Sequence, residues 1–169
     1  AYIALFICLK RYIMKNVVKL LIKLNKTVST MESCTGGCLA NEITNVPGAS
    51  DIFKFGAVTY ANEFKIKMGV DSRIIDKYSV YSMETAVDMA KKITFFTLSD
   101  YGIGVTGKLK RKDKNNLYSS DNLVFISIYD KKLDKSYNYS YEVVKSTRAS
   151  NKKDLVKFIE SKFMMILSK

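Results

Sequence analysis

Thr27-Val28-Ser29-Thr30-Met31-Glu32-Ser33-Cys34-Thr35-Gly36-Gly37-Cys38 is the stretch that decides the fold. Its first five residues are short and rich in β-branched side chains, the composition of a strand. The glycine pair then breaks the chain, and Cys38 to Thr44 (CLANEIT) resumes helical spacing, so the stretch reads as strand, tight turn, helix. Upstream, Met14 to Lys26 sets Val17, Val18, Leu20, Leu21, Ile22 and Leu24 among lysines at a period that predicts a helix with one buried face. Alternation of helix and strand is therefore under way within the first forty-odd residues.

Working outward, Val46-Pro47-Gly48-Ala49-Ser50 ends the second helix, because proline and glycine both oppose its continuation. Gly56 to Tyr60 (GAVTY) predicts a buried strand, and Ala61 to Lys67 a loop or helix start. Ser82 with Thr85 opens a long helix through Ala86, Met89, Ala90, Ile93 and Phe96, followed by a strand at Tyr101 to Thr106 and a polar, charged loop. Leu123 to Tyr129 and Tyr137 to Val144 predict two strands around the turn Asp130 to Ser136, an antiparallel hairpin at one edge. A last helix is expected from Ser150 to Leu167. The order predicts an α/β protein, a single-domain three-layer α/β/α sandwich with a mixed sheet. The apolar run Tyr2 to Leu9 falls far short of the roughly 20 residues that span a bilayer, and its charges follow rather than precede it, so no membrane association is expected. Residues 1–13 are expected to be a non-native or disordered extension and residues 14–169 the domain itself.

Histidine is absent, which removes Ser-His-Asp and Cys-His catalysis and every histidine metal site, and leaves Lys, Asp, Glu or Tyr as the base. The cysteines are Cys8, Cys34 and Cys38, an odd number without a CxxC pair, so free thiols and a cytoplasmic location are expected, with no metal and no cofactor. The net charge of +12 invites a nucleic-acid partner, but only four of the 28 basic residues are Arg (Arg11, Arg73, Arg111, Arg148). Base readout favours the Arg fork, and lysine spread along the whole chain fits a compositional bias of the coding genome better, so nucleic acid is not the expected partner. Self-association as a homo-oligomer is expected from size alone.

Two clusters carry polar groups to places where chemistry is commonly found. A helix that begins after a glycine pair offers N–H groups to an anion, so Ser33, Thr35, Gly36 and Gly37 form either a phosphate cradle or a capped turn. Thr59-Tyr60-Ala61-Asn62-Glu63-Phe64-Lys65 follows a strand, where α/β sheets place ligand sites, although a lone lysine there is most often solvated.

Taken in order and at their intervals, ESCTGG, VPGAS, YANEFK, GVTG and Arg148 resemble the C-terminal amidase domain of the competence/damage-inducible CinA family, from about Lys26 to the end of the chain. The resemblance implies a hydrolase acting on nicotinamide mononucleotide, releasing nicotinate mononucleotide and ammonia for pyridine nucleotide salvage. It implies Ser50 as nucleophile, Lys65 as its base and Tyr60 beside them, with Ser33, Thr35, Gly36, Thr106 and Arg148 binding a small-molecule nucleotide. Lys152, one helical turn beyond Arg148, joins them as a weaker candidate for the phosphate. A neutral Lys65 would take the serine proton and return it to ammonia, and Ser33 stays open as a rival nucleophile. Two departures stand out. Gly107-Lys108-Leu109-Lys110-Arg111-Lys112-Asp113-Lys114-Asn115-Asn116 replaces a Gly-Ile-Ala-Gly-Pro loop, and Ala49 replaces a frequent serine beside Ser50. The alternative is a non-catalytic module that binds a nucleotide or nucleic acid, in keeping with competence.

Overall fold

The computed structural model describes residues 12–110 and 121–169. Along the chain these form α1 (Lys15–Leu24), β1 (Val28–Glu32), α2 (Cys38–Thr44), a 3-10 turn (Ala49–Asp51), β2 (Phe53–Val58), α3 (Asn62–Lys67), α4 (Ser72–Tyr78), α5 (Met83–Thr97), β3 (Tyr101–Gly107), β4 (Leu123–Asp130), β5 (Lys135–Glu142) and α6 (Arg148–Leu167). The five strands make one sheet in the order β2-β1-β3-β4-β5. β1 runs parallel to β2 and β3, while β4 is antiparallel to β3 and β5 to β4. The sheet is mixed, as expected, and the hairpin lies at its edge.

Two apolar layers cover it. On one face Val17, Val18 and Leu21 of α1, Leu39 and Ile43 of α2, and Leu155, Val156, Ile159 and Phe163 of α6 join Val28, Ile103, Val105, Val124, Ile126 and Ile128 in the larger core. On the other, Met89 and Ile93 of α5 pack with Met31, Ala57 and Val70. That second layer lies close because β3 carries glycine where α5 crosses: a Cβ at Gly102 or Gly104 would run into the backbone carbonyls of Ala90 and Ala86. Burying a Leu- or Ile-sized side chain contributes roughly 1.5–3 kcal/mol, so the larger core dominates the stability.

Several elements differ from expectation. The strand expected at Gly56–Tyr60 runs Phe53–Val58 instead, and it is an edge strand with Lys54, Phe55 and Val58 exposed rather than a buried one. Its apolar run comes from packing on one face only, beneath α5, where the Phe55 ring meets Phe96 at 5.7 Å between centroids. The α4 helix was not expected. Its start is set by Asp71, whose carboxylate accepts the Arg73 N–H at 2.9 Å. β5 begins two residues earlier than its aromatics suggest. Tyr139 and Tyr141 face Phe158 of α6, while the intervening polar residues complete the ladder. α6 likewise begins at Arg148, with Thr147 as its cap. Of the extension expected at 1–13, residues 1–11 lie outside the described residues, and Tyr12 and Ile13 pack partly buried against the larger core.

Candidate active site

The parallel strands β2, β1 and β3 end together, and the turn after β1 lies at that shared end. Ser33 continues the line of β1 by donating its N–H to the Val105 carbonyl at 2.9 Å. Gly36 and Gly37 then take positive φ, +59° and +88°, which lets the chain reverse into α2 within four residues of the strand. A side chain of the same motif locks the turn. Glu32, fully buried, accepts the N–H groups of Gly37 (3.1 Å), Leu39 (3.1 Å) and Ala40 (2.8 Å). The N-terminus of α2 is therefore occupied by the protein's own carboxylate, and the phosphate cradle expected at this helix start is already filled.

Lys65 is the second component. In the short α3 the usual pattern is inverted: Phe64 and Ile66 face water while Lys65 is 1% exposed. Its Nζ donates to the Thr59 carbonyl at 2.7 Å and lies 3.2 Å from Ser33 Oγ, itself 6% exposed. Thr59 is held in turn by the N–H bond it donates to the Glu32 carbonyl at 2.8 Å. Burial lowers the Lys65 amine to about 8, the opposing influence being Cys34. Cys34 is itself pushed up to about 12 by burial, so it is still a neutral thiol where Lys65 titrates, and it is no thiolate nucleophile near neutral pH. The result is a lysine whose neutral form is accessible near neutral pH, in contact with a serine hydroxyl.

The structure thus brings Lys65 to Ser33 rather than to Ser50. Ser50 is exposed on the 3-10 turn, ahead of Phe53, which pairs with Val28 at the opposite end of the strands. From there to the Ser33 turn is about 15 Å of strand at roughly 3.3 Å per residue, beyond the reach of a lysine anchored at Thr59. Tyr60, 65% exposed, makes no hydrogen bond among the described residues. Thr106 lies at the end of β3, fully buried, and its hydroxyl donates to the Val80 carbonyl at 2.8 Å, tying the strand to the approach of α5. Arg148 donates through its guanidinium to the Leu109 carbonyl at 3.2 Å, so it holds the segment that departs from the family's glycine loop. Residues 111–116 of that loop lie outside the described residues. Thr35 is fully buried, and its hydroxyl has no hydrogen-bond partner.

Two contributors escaped the sequence reading. Glu32 was in the quoted motif, and an acid before a glycine pair that opens a helix is a signal for capping. The Thr59 carbonyl carries no residue-type signal at all, since any residue would supply it. Elsewhere, a groove of about 450 Å³ between α4, α5 and β5, lined by Ile74, Tyr78, Met83, Val87 and Asn138 among others, includes none of these residues. No helix among the described residues is long and apolar enough to cross a membrane, and no cluster of three or more His, Cys, Asp or Glu there could hold a metal ion.

Comparison with known proteins places this geometry. Residues 10–158 match the family model described as the CinA C-terminal domain. A competence-damage inducible protein of Caldanaerobacter subterraneus is 49% identical over 92 residues, 54% of this chain and 22% of that protein. Its namesake in Clostridium beijerinckii is 43% identical over 114 residues, 67% of this chain and 28% of that protein. The chain thus matches less than a third of the length of these relatives. The fold is shared with a CinA superfamily protein of Escherichia coli (TM-score 0.83, 21% identity, 91% of this chain and 88% of that one). It is shared also with a competence/damage-inducible protein of Agrobacterium tumefaciens (TM-score 0.83, 22% identity, 93% and 94%). On the family match over most of its length, the chain belongs to the CinA C-terminal domain family.

Proposed function

We propose that the chain is a serine-lysine amidase with Ser33 as nucleophile and Lys65 as general base, acting on the carboxamide of nicotinamide mononucleotide. The observation that carries this reading is the 3.2 Å contact between a buried serine hydroxyl and a buried lysine amine lowered to about 8. The substrate comes from the family resemblance, and the chemistry follows from the residues. With its N–H bond to Thr59 kept, neutral Lys65 turns its lone pair to the Ser33 hydroxyl and takes the proton as Oγ attacks the amide carbon. The C–N bond then breaks, the Lys65 ammonium protonates the departing nitrogen, and ammonia leaves an ester on Ser33. Water, deprotonated by the same amine, cleaves the ester to the acid and restores both residues. The N–H groups of Cys34 and Thr35 donate to no backbone carbonyl among the described residues, which leaves them for the oxyanion.

The test is ammonia release from the mononucleotide by purified protein, with Ser33→Ala and Ser50→Ala side by side. Loss in the first and retention in the second supports the reading. No release above the Ser33→Ala background removes it, and loss only in Ser50→Ala returns the nucleophile to Ser50.

A further inference from the structure

The two cations at the start of α6 face the Ser33–Gly37 turn from the side away from Lys65. Arg148 and Lys152 both act on the Cys34 thiol, lowering it against the effect of burial, whereas neither acts on Lys65. Lys152 comes closest: a Cβ built on Gly36 would lie 3.0 Å from its Nζ, so the ammonium rests over the one residue of the turn that has no side chain to shield it. It is half-buried, and it has no ion-pair partner among the described residues. That is unlike its neighbours Lys145 and Lys157, which share the carboxylate of Asp154. The acid of the turn, Glu32, spends its carboxylate on the α2 N–H groups instead. Beside this uncompensated charge, the buried Thr35 hydroxyl is also without a partner. The turn therefore carries a nucleophile at one end and an unneutralised cation above bare backbone at the other.

We propose that Lys152, over Gly36, forms the subsite for a phosphomonoester group of the substrate, and so sets the preference for a nucleotide over the corresponding nucleoside. The inference rests on the amidase reading for the identity of the ligand. A compact ammonium above a glycine takes a phosphate oxygen through a charge-assisted hydrogen bond, and the open φ of +59° at Gly36 lets that oxygen approach the backbone.

Titration calorimetry on the full chain carrying Ser33→Ala, so that nothing turns over, compares nicotinamide mononucleotide with nicotinamide riboside, which has the same amide and no phosphate. The expected result is tighter binding of the mononucleotide. Lys152→Met weakens it about tenfold, about 1.4 kcal/mol, and leaves the riboside unchanged. Lys152→Arg restores most of the preference. Gly36→Ala, which keeps the lysine but crowds its ammonium, moves the preference in the same direction and by less, and it serves as the second variant if Lys152→Met fails to fold. Equal binding of the two ligands, equal losses on both, or a preference indifferent to Lys152 overturns the proposal. Lys152-dependent preference in a chain that releases no ammonia removes the amidase reading and leaves the subsite standing. Ammonia release with no role for Lys152 does the reverse.

Discussion

Lys65 and Lys108 are both shut away from water, yet they are held in opposite ways. Lys108, 4% exposed, has the Asp121 carboxylate at 3.7 Å and lies 5.2 Å over the ring of Tyr81. Lys65, 1% exposed, meets only a carbonyl and a hydroxyl. A carboxylate and an aromatic face both favour the ammonium, whereas desolvation among neutral acceptors favours the free amine. The difference teaches that burial alone does not make a lysine into a base. What makes Lys65 one is burial with the counter-ion withheld, and α3 provides it by turning its lysine inward and its Phe64 and Ile66 outward.

The largest expected effect breaks the pair on one side only. Lys65→Ala and Ser33→Ala should each lower kcat for ammonia release by about a thousandfold or more, the scale found when a nucleophile or its base is removed. Lys108→Ala and Ser50→Ala should stay within about threefold. A Lys108→Ala protein as inactive as Lys65→Ala, while still folded by circular dichroism, would sink the distinction between the two lysines.

Next comes stability, through the sign of the Lys65 shift. Its amine is lowered from an ordinary value near 10.5 to about 8, so between those values the unfolded chain binds the proton and the native chain does not. Stability therefore rises with pH from about 8 to about 10.5, and below about 8 the native state carries the full cost of a buried ammonium, about 3 kcal/mol. Lys65→Met, apolar and of similar length, should recover up to that amount at pH 7 and lose the advantage by about pH 10. Cys34 works the other way: pushed up to about 12, it ionises first in the unfolded chain and pulls stability down above about 9. The informative quantity is the difference between wild type and variant in denaturant titrations at pH 7, 9 and 10, which cancels the thiol. A difference that does not change with pH would mean that Lys65 keeps its charge.

The same titration should appear in the rate. With one base near 8, kcat/KM should climb about 50-fold from pH 6 to pH 8 and level off above. A flat profile across that range would show that the proton leaves Ser33 by another route.

How much of this was legible beforehand differs sharply between backbone and site. The bounds of α2 were readable to the residue, because the glycine pair and the following apolar spacing are local signals. The hairpin was legible for the same reason. The edge position of β2 was not, since strand order is set by long-range pairing that leaves no mark on GAVTY itself. In the site, Ser33 and Lys65 were both singled out, yet the partner assigned to Lys65 was Ser50. Seventeen residues separate the two serines in sequence, but the parallel pairing of β1 with β2 sends them to opposite ends of the strands. α3 concealed its lysine by the same logic, since a helix of that composition is ordinarily read with Phe64 and Ile66 inside.

Thr106 supplies the smallest and most discriminating test, because two roles compete for one hydroxyl. The family resemblance gives it to the substrate, whereas in the structure it donates to the Val80 carbonyl and is fully buried. Thr106→Val keeps the shape and removes the donor, leaving a buried carbonyl unpaired at a cost of about 1–2 kcal/mol. If the hydroxyl is a staple, Tm falls and KM for the mononucleotide holds, since the Ser33–Lys65 pair is positioned from β1 and α3 and not from this bond. If it also accepts a hydrogen bond from substrate through its free lone pair, KM rises while Tm falls. The ratio of the two changes separates a residue that holds β3 to the approach of α5 from one that also touches what the serine attacks.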